Sequence, residues 1–402
     1  MTFTFISNYM NHHQQPFCDA MYERLGDDFC FIATMPMEKE RIEMGWDENL
    51  SKLPYVHLLY EEPECEQLVY DSDVVLIGWS EREDIAQKRL KMSQGSNKVT
   101  LRVSERIYRS GRYKFLSPRG LAAKYKEHIR FRNDPVYMLC AGAYTAADYN
   151  LIRAYPGKLL KWGYFPPFIE QDPAEIDSRL KRTETYEIVW AGRFIPLKHP
   201  EYMLRLANAL KMERVSFHIH MIGDGEMYDD ISYRVSEKYA DCIILHGSLK
   251  PDEVRRIMQT CQIHIATSNH LEGWGAVINE GMNAGCIEVA CSQMGAVPFL
   301  IRDNENGLIY RHDICQEMEQ AVLRVTRNPL GYCHLGTKAY ETIKNEWNAN
   351  VAADRLIALA KSLHRGDDPK IPESGPLSVA PILKSCSDPA IYDYDTYFHL
   401  DY

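Results

Sequence analysis

The sequence predicts an α/β protein built as two parallel-sheet domains in tandem, and three features predict it. Short runs rich in Val, Ile, Phe and Tyr alternate with helix-like stretches, the rhythm of repeated βα units. That rhythm breaks once, between Gly163 and Thr185, and then resumes. With 402 residues, 45% of them apolar, the chain is long enough for two full cores.

In the first half, Thr2–Ser7 reads as a strand, followed by the polar loop Asn8–His13 and a helix over Gln14–Leu25. Further strands are predicted at Phe29–Thr34, Tyr55–Tyr60, Val74–Gly78, Val99–Val103 and Val136–Gly142, with helices at Glu81–Ser93, Leu121–Arg130 and Thr145–Ala154. The short strand Lys158–Trp162 leads into Gly163-Tyr164-Phe165-Pro166-Pro167. Ile169–Thr185, polar and without a strong period, then reads as the linker. The second half is predicted to place strands at Glu187–Ala191, Ser216–Ile222, Cys242–His246, Gln262–Ala266 and Ile287–Cys291, with helices including Glu201–Leu210 and Pro251–Cys261. Thr337–Leu363 is helical but does not keep one apolar face, which predicts a break near Asn348–Asn350. These boundaries give a first Rossmann-like domain at 1–168, a second at 169–336, returning helices at 337–364 and a tail at 365–402. The tail begins Pro-rich, like a flexible linker. It ends in Tyr392, Tyr394, Tyr397, Phe398 and Tyr402 among aspartates, for which packing on the protein's own surface is the simpler reading and a partner-binding tail the other.

A net charge of −10 argues against general nucleic-acid binding. No apolar run reaches the ~18 residues needed to span a bilayer, and MTFTFISNYM has no basic region before its apolar residues, so a cytoplasmic protein is expected. The 11 cysteines are scattered without C-x-x-C or Cys/His ligand spacing and read as buried hydrophobes in a reducing compartment. Between Arg102 and Arg132 stand ten Lys or Arg against Glu105 and Glu127, interleaved with Tyr108, Tyr113, Phe115, Tyr125 and Phe131. This stretch, 102–132, is either a solvated face or a surface for an anionic acceptor or the inner face of a membrane.

The stretch Asn269–Gly285, NHLEGWGAVINEGMNAG, concentrates the chemistry. It follows a buried strand and places Glu272 in a Gly-flanked turn and Glu280 eight residues later, in a short helix. Exposed backbone N–H groups and the start of a helix at such a junction hold anions. Gly273 and Gly275 let the backbone approach closely, and a carboxylate at Glu280 can accept from a sugar or ribose hydroxyl. Spacing alone also fits a solvated helix residue and an ordinary loop acid. Taken with the EGWG turn, the NEGMNAG helix and the strand Cys286–Ala290, however, the stretch resembles the Glu-x7-Glu motif of the retaining family 4 glycosyltransferases of the GT-B fold.

The resemblance is strong from about Trp190 to Tyr310, weaker before and absent in the tail. It implies two Rossmann-like domains facing a cleft, with the C-terminal helix crossing back to the N-terminal domain. It also implies transfer of a sugar from a nucleoside diphosphate to an acceptor hydroxyl with retention, in bacterial polysaccharide or glycoconjugate synthesis. Ala191-Gly192-Arg193 and Lys198 resemble the family's phosphate-binding pair, suited to neutralising a diphosphate leaving group. Gly223-Asp224-Gly225 matches the GDG turn, or is a plain strand-to-helix turn with Asp as a cap; His246-Gly247-Ser248-Leu249 resembles the strand end facing the base.

On this carry-over, Glu272 holds donor-sugar hydroxyls, Glu280 the ribose, Arg193 and Lys198 the diphosphate, and the amides around Gly275, Ala276 and Val277 the distal phosphate. Gly223, Leu249, Gly273 and Trp274 complete the donor set. No metal or cofactor is implied, because protein cations supply the positive charge. The N-terminal half departs from the family. The first loop, Asn8 to Pro16, lacks glycines, and Ser104-Glu105-Arg106 stands where many members have a His. Glu105 is therefore a catalytic candidate, with Arg106 as the alternative for the polar role near the reacting sugar, and Arg106 and His13 are acceptor-side candidates; each has a structural alternative. The partners implied are a nucleotide-sugar donor and a glycan or lipid-linked acceptor. A sugar-nucleotide-binding protein with weakened turnover is the rival reading, and a sugar-nucleotide epimerase would lack the EGWG-x4-E signature.

Overall fold

The computed structural model describes residues 1–39, 42, 50–111, 114, 116–311 and 314–383. The chain divides into two compact units, residues 1–167 with 348–402, and residues 168–347.

In the first unit the strands are β1 (Phe3–Ser7), β2 (Phe29–Ala33), β3 (Val56–Leu58), β4 (Val74–Ile77), β5 (Val99–Ser104), β6 (Tyr137–Ala141) and β7 (Leu159–Trp162). They form one sheet in the order β3-β2-β1-β4-β5-β6-β7, and every pair is parallel. The inner strands FTFIS and VVLI are buried throughout, as a parallel sheet covered on both faces requires. The helices are α1 (Gln15–Leu25), α2 (Glu66–Asp71), α3 (Glu83–Ser93), α4 (Pro118–Glu127) and α5 (Thr145–Leu151).

The second unit carries β8 (Tyr186–Ala191), β9 (Phe217–Ile222), β10 (Ile243–Gly247), β11 (Ile263–Ala266), β12 (Ile287–Cys291) and β13 (Leu308–Tyr310) in the order β10-β9-β8-β11-β12-β13, again all parallel. Its helices are α6 (Pro173–Leu180), α7 (Tyr202–Met212), α8 (Tyr228–Lys238), α9 (Pro251–Met258), α10 (Val277–Asn283), α11 (Val297–Leu300), α12 (Cys315–Arg327) and α13 (Pro329–Asn345). In both sheets the strand order reverses beside the unit's first strand, the doubly wound arrangement that leaves a ligand crevice at the strands' C-terminal ends.

The helix α14 (Ala349–Arg365) belongs to the first unit, where it packs on α1 and Arg24 Nε donates to Asp354 Oδ1 at 2.6 Å. The break expected near Asn348 is present, with the Asn348 side chain capping the amide of Val351 at 3.0 Å. Only α14 returns, however. Most of the stretch before the break lies in α13, which stays in the second unit on α6, α10 and β12.

Two segments correct the sequence reading. Within the expected linker, Asp172 caps α6 through the amide of Ala174 at 2.8 Å, and Ile176, Arg179 and Leu180 are buried. Arg179 donates to the carbonyls of Ala284 at 2.6 Å and Gly285 at 3.1 Å, so an arginine replaces the apolar residue that a period would have shown. The start of the tail is not a free linker either. Val379 bridges Leu160 antiparallel, Lys161 donates its amide to Ser378 O at 2.7 Å, and Leu377, Ser378, Ala380 and Leu383 are buried. The aromatic end of the tail lies outside the described residues, as do Arg112, Tyr113 and Phe115. The described cysteines are all free, and all but Cys30 are buried.

Candidate functional site

The ends of β8, β9 and β10 are tied in a row: Gly192 N donates to Ile222 O at 2.9 Å and Gly223 N to Gly247 O at 2.8 Å. A Cβ on Gly223, whose φ is +130°, would lie 2.0 Å from Gly192 O. Glycine is therefore demanded there by the protein's own backbone, before any ligand is considered. Asp224 is not a helix cap: α8 starts at Tyr228, and the Asp224 side chain accepts from Gly225 N at 2.7 Å.

At the point where strand order reverses, the loop after β8 meets the loop after β11. Trp190 Nε1 donates to Thr267 Oγ1 at 2.8 Å, Thr267 donates to Lys198 O, and Asn269 N donates to Leu197 O at 3.0 Å. Across this stitched junction Lys198 Nζ donates to Glu272 Oε2, with the two side chains 17% and 19% exposed. Burial pushes the Glu272 carboxyl up. The Lys198 ammonium, the Ser268 hydroxyl and the Arg193 guanidinium outweigh it and hold the group below its usual range. Arg193 itself is exposed and has no ion-pair partner among the described residues.

The turn beyond Glu272 has a run of uncommitted donors. Among the described residues the backbone N–H groups of Gly273, Trp274, Gly275, Ala276 and Val277 meet no acceptor, although the first three residues are buried. Buried amides are almost always paired, so such a run marks a place prepared for an anion. Gly275 has φ +94°, and a Cβ there would stand 2.5 Å from Met294 Cε and 3.4 Å from Glu272 Cγ. The Trp274 side chain cannot serve the donor role expected of it. It is 1% exposed, donates to Asn279 Oδ1 at 2.8 Å and packs against Phe299 and Trp347. Leu249 and Val277 pack, with Ala191, on one apolar cluster around Val189, Met258 and Cys286.

Glu280 has a partner that the sequence did not show. Arg255 Nη1 of α9 lies 3.1 Å from Glu280 Oε1, with side chains 9% and 12% exposed, and Arg255 also pairs with Asp252. Burial raises the Glu280 carboxyl above its usual range, against the opposing effect of Arg255 and His264. Arg255 was hidden in the sequence because it is one of several charged residues on a polar helix.

In the first unit, His13 after β1, Glu105 after β5 and Tyr164 after β7 come together. The His13 and Tyr164 rings stack with centroids 6.1 Å apart, and the Tyr164 hydroxyl donates to Glu105 Oε1 at 2.7 Å. Tyr164 had carried no sequence signal. Arg106 departs from the acceptor role. Its side chain is 1% exposed and pairs with Asp148, which is wholly buried and also accepts from Tyr108 N at 2.9 Å. The basic stretch is likewise part structure and part surface. Arg102 is buried against Glu83 at 3.0 Å, whereas Arg109, Lys114, Arg119 and Lys126 are exposed beside Leu116, Leu121 and Tyr125. A hollow of about 410 Å³ there is lined by Tyr108, Lys114, Ser117, Gly120 and Lys124. Among the described residues no helix is long and apolar enough to cross a membrane.

Comparison with known proteins converges on this architecture. Residues 171–342 match the family of glycosyl transferases group 1. The poly(ribitol-phosphate) α-N-acetylglucosaminyltransferase of Staphylococcus aureus is 22% identical over 190 residues, 47% of this chain and 38% of that protein, so the match spans well under half of the relative's length. HepE of Anabaena, solved with UDP, superposes with a TM-score of 0.64 at 13% identity, covering 90% of this chain and 100% of that one. The pneumococcal O-GlcNAc transferase GtfA, solved with UDP and GlcNAc, gives 0.63 at 10% identity over 90% and 99%. The match to glycosyl transferases group 1 thus falls within the second unit, and the chain has the two Rossmann-like units of the GT-B fold.

Proposed function

We propose that the protein is a retaining, metal-independent glycosyltransferase of family 4 that moves a sugar from a UDP-sugar to a hydroxyl of a polysaccharide or other glycoconjugate. The observation that carries this reading is the Lys198–Glu272 pair at the strand-order reversal, beside the uncommitted amides of Gly273–Val277. Lys198, the exposed Arg193 and those amides form a cationic cradle for a diphosphate, and they neutralise charge as it develops on the leaving group. Glu272, kept ionised by Lys198, accepts from donor-sugar hydroxyls, and Glu280, oriented by Arg255, accepts from the ribose. UDP as the carrier is supported by the complexes of HepE with UDP and with UDP-glucose.

In the first unit, Glu105, held by Tyr164, is the carboxylate we assign to the acceptor side, with His13 beside it. A phosphate-bearing or lipid-linked acceptor fits the exposed lysines and arginines of 102–132. The apolar Leu116, Leu121 and Tyr125 among them support contact with an anionic membrane surface. The engagement of Arg106 by Asp148 favours one rival, a sugar-nucleotide-binding protein with weakened turnover.

The test is a thermal-shift panel of UDP-, GDP- and ADP-sugars with EDTA present, repeated on Glu280→Ala. A UDP-sugar is expected to raise the melting temperature of the wild type and to lose most of that effect in the variant. No shift with any nucleotide sugar would overturn the proposal. Release of UDP from the stabilising donor separates the enzyme from the binding protein.

A further inference from the structure

Beneath α10 lies a pair of ionisable side chains with no part in the donor contacts described above. His264 on β11 and Glu288 on β12 are register partners on neighbouring strands, both wholly buried, with His264 Nδ1 2.8 Å from Glu288 Oε2. Their other polar atoms, His264 Nε2 and Glu288 Oε1, are buried and have no partner among the described residues. A buried ion pair adds little or nothing over apolar residues of the same volume, and an orphaned buried polar atom costs about 1–3 kcal/mol. Stability therefore does not account for the pair.

Its place in the fold does. Gly281 follows Glu280, and a Cβ there would stand 2.1 Å from Glu288 Oε1 and 2.5 Å from His264 Nδ1. The two side chains fill the space directly under the turn that carries Glu280, and α10 sits as low as a bare backbone allows. We propose that the His264–Glu288 pair is a positioning element for Glu280, fixing the height of α10 on the sheet and so the place of its carboxylate as a hydroxyl acceptor. This rests on the reading of Glu280 as the ribose ligand.

The groups around Glu280 agree with that role. Arg255 reaches it from α9, itself paired on its other side with Asp252, and His264 and Glu288 lie under its helix. Arg179 of α6 is engaged by the carbonyls at the far end of α10, and Tyr340 of α13 by the backbone of Gln171. Burial raises both Glu280 and Glu288, and His264 opposes that effect at each. Without the imidazole, Glu280 has only Arg255 to hold its charge.

The experiment measures binding of UDP-glucose to the full chain by calorimetry between pH 6 and 8, alongside melting temperature. The variants are the double substitution His264→Leu/Glu288→Leu and the volume-conserving Glu288→Gln. The apolar double variant is expected to melt at or above the wild-type temperature, as replaced buried pairs often do. It is also expected to bind UDP-glucose about tenfold more weakly, with the loss growing as pH falls because Glu280 takes up a proton earlier. Glu288→Gln keeps the imidazole but breaks the ion pair that braces α10; it is expected to weaken affinity as well and covers the case in which the double variant does not fold. Wild-type affinity with a flat pH profile in either folded variant would show the pair to be packing alone and overturn the inference, leaving the donor reading intact. Absence of binding to the wild type would overturn both.

Discussion

Glu272 is a half-buried carboxylate held ionised by neighbours, and its contribution to stability depends on pH in a definite direction. Its folded value lies below the ordinary 4.5, so it stabilises the fold above that pH, and the contribution is lost as pH falls through the lower folded value. The difference in melting temperature between wild type and Glu272→Gln is expected to be steady from about pH 7 to about pH 5 and to shrink below 4.5. Arg89 is a residue of the opposite kind. Wholly buried, it donates to the carbonyls of Val69, Ser72 and Val99 at 2.7–3.0 Å and among the described residues faces no carboxylate at hydrogen-bond distance, and burial lowers its pKa to about 10. Arg89→Met is expected to cost about 2–4 kcal/mol in urea unfolding by stranding those acceptors, with UDP-sugar affinity unchanged. Single residues were unevenly legible in the sequence. The motif located Lys198 and Glu272, but it could not show that Trp274 turns inward to Asn279 and Trp347, or that Arg255 and Tyr164 supply the contacts holding Glu280 and Glu105.

At the scale of elements, close packing of backbone on backbone decides what is tolerated. Gly336 on α13 faces the chain turn before β12, and a Cβ there would stand 2.5 Å from Gly285 O and 2.7 Å from Leu180 Cδ1. Gly336→Ala is expected to destabilise the second unit by about 1–3 kcal/mol, seen as a lower urea midpoint with an unchanged slope. Strands were legible where a parallel sheet covered on both faces turns them into continuous apolar runs, as in Phe29–Ala33 and Val74–Ile77. What escaped was short or amphiphilic. β13 has three residues, and α6 buries an arginine beside Ile176 and Leu180, so its sequence looks like a solvated connection.

For the whole molecule, the division into units makes a prediction about independent folding. Residues 168–347 are continuous and hold the entire six-stranded sheet together with Lys198, Glu272 and Glu280. That fragment is expected to fold alone, with a cooperative melt by circular dichroism, and to keep the UDP-sugar response. Residues 1–167 without 348–383 are expected to lack a sharp transition, because α1 loses its packing against α14. The tandem arrangement itself was readable from the interrupted βα rhythm. The assignment of α13 to one unit and α14 to the other was not, because a single helical pattern covers both and only tertiary contact separates them.

The segment beside β7 has a consequence for how copies of this protein behave toward each other. A strand at the rim of a sheet presents bare amides and carbonyls on which a foreign chain can grow another strand. Leu377–Ala380 occupies that rim, clasped from α14 by Arg355, whose guanidinium donates to Pro376 O at 2.9 Å. A chain ending at Gly366 would expose the template, and concentration-dependent light scattering from it, absent in the 402-residue chain, is the expected sign that the strap guards against polymerisation.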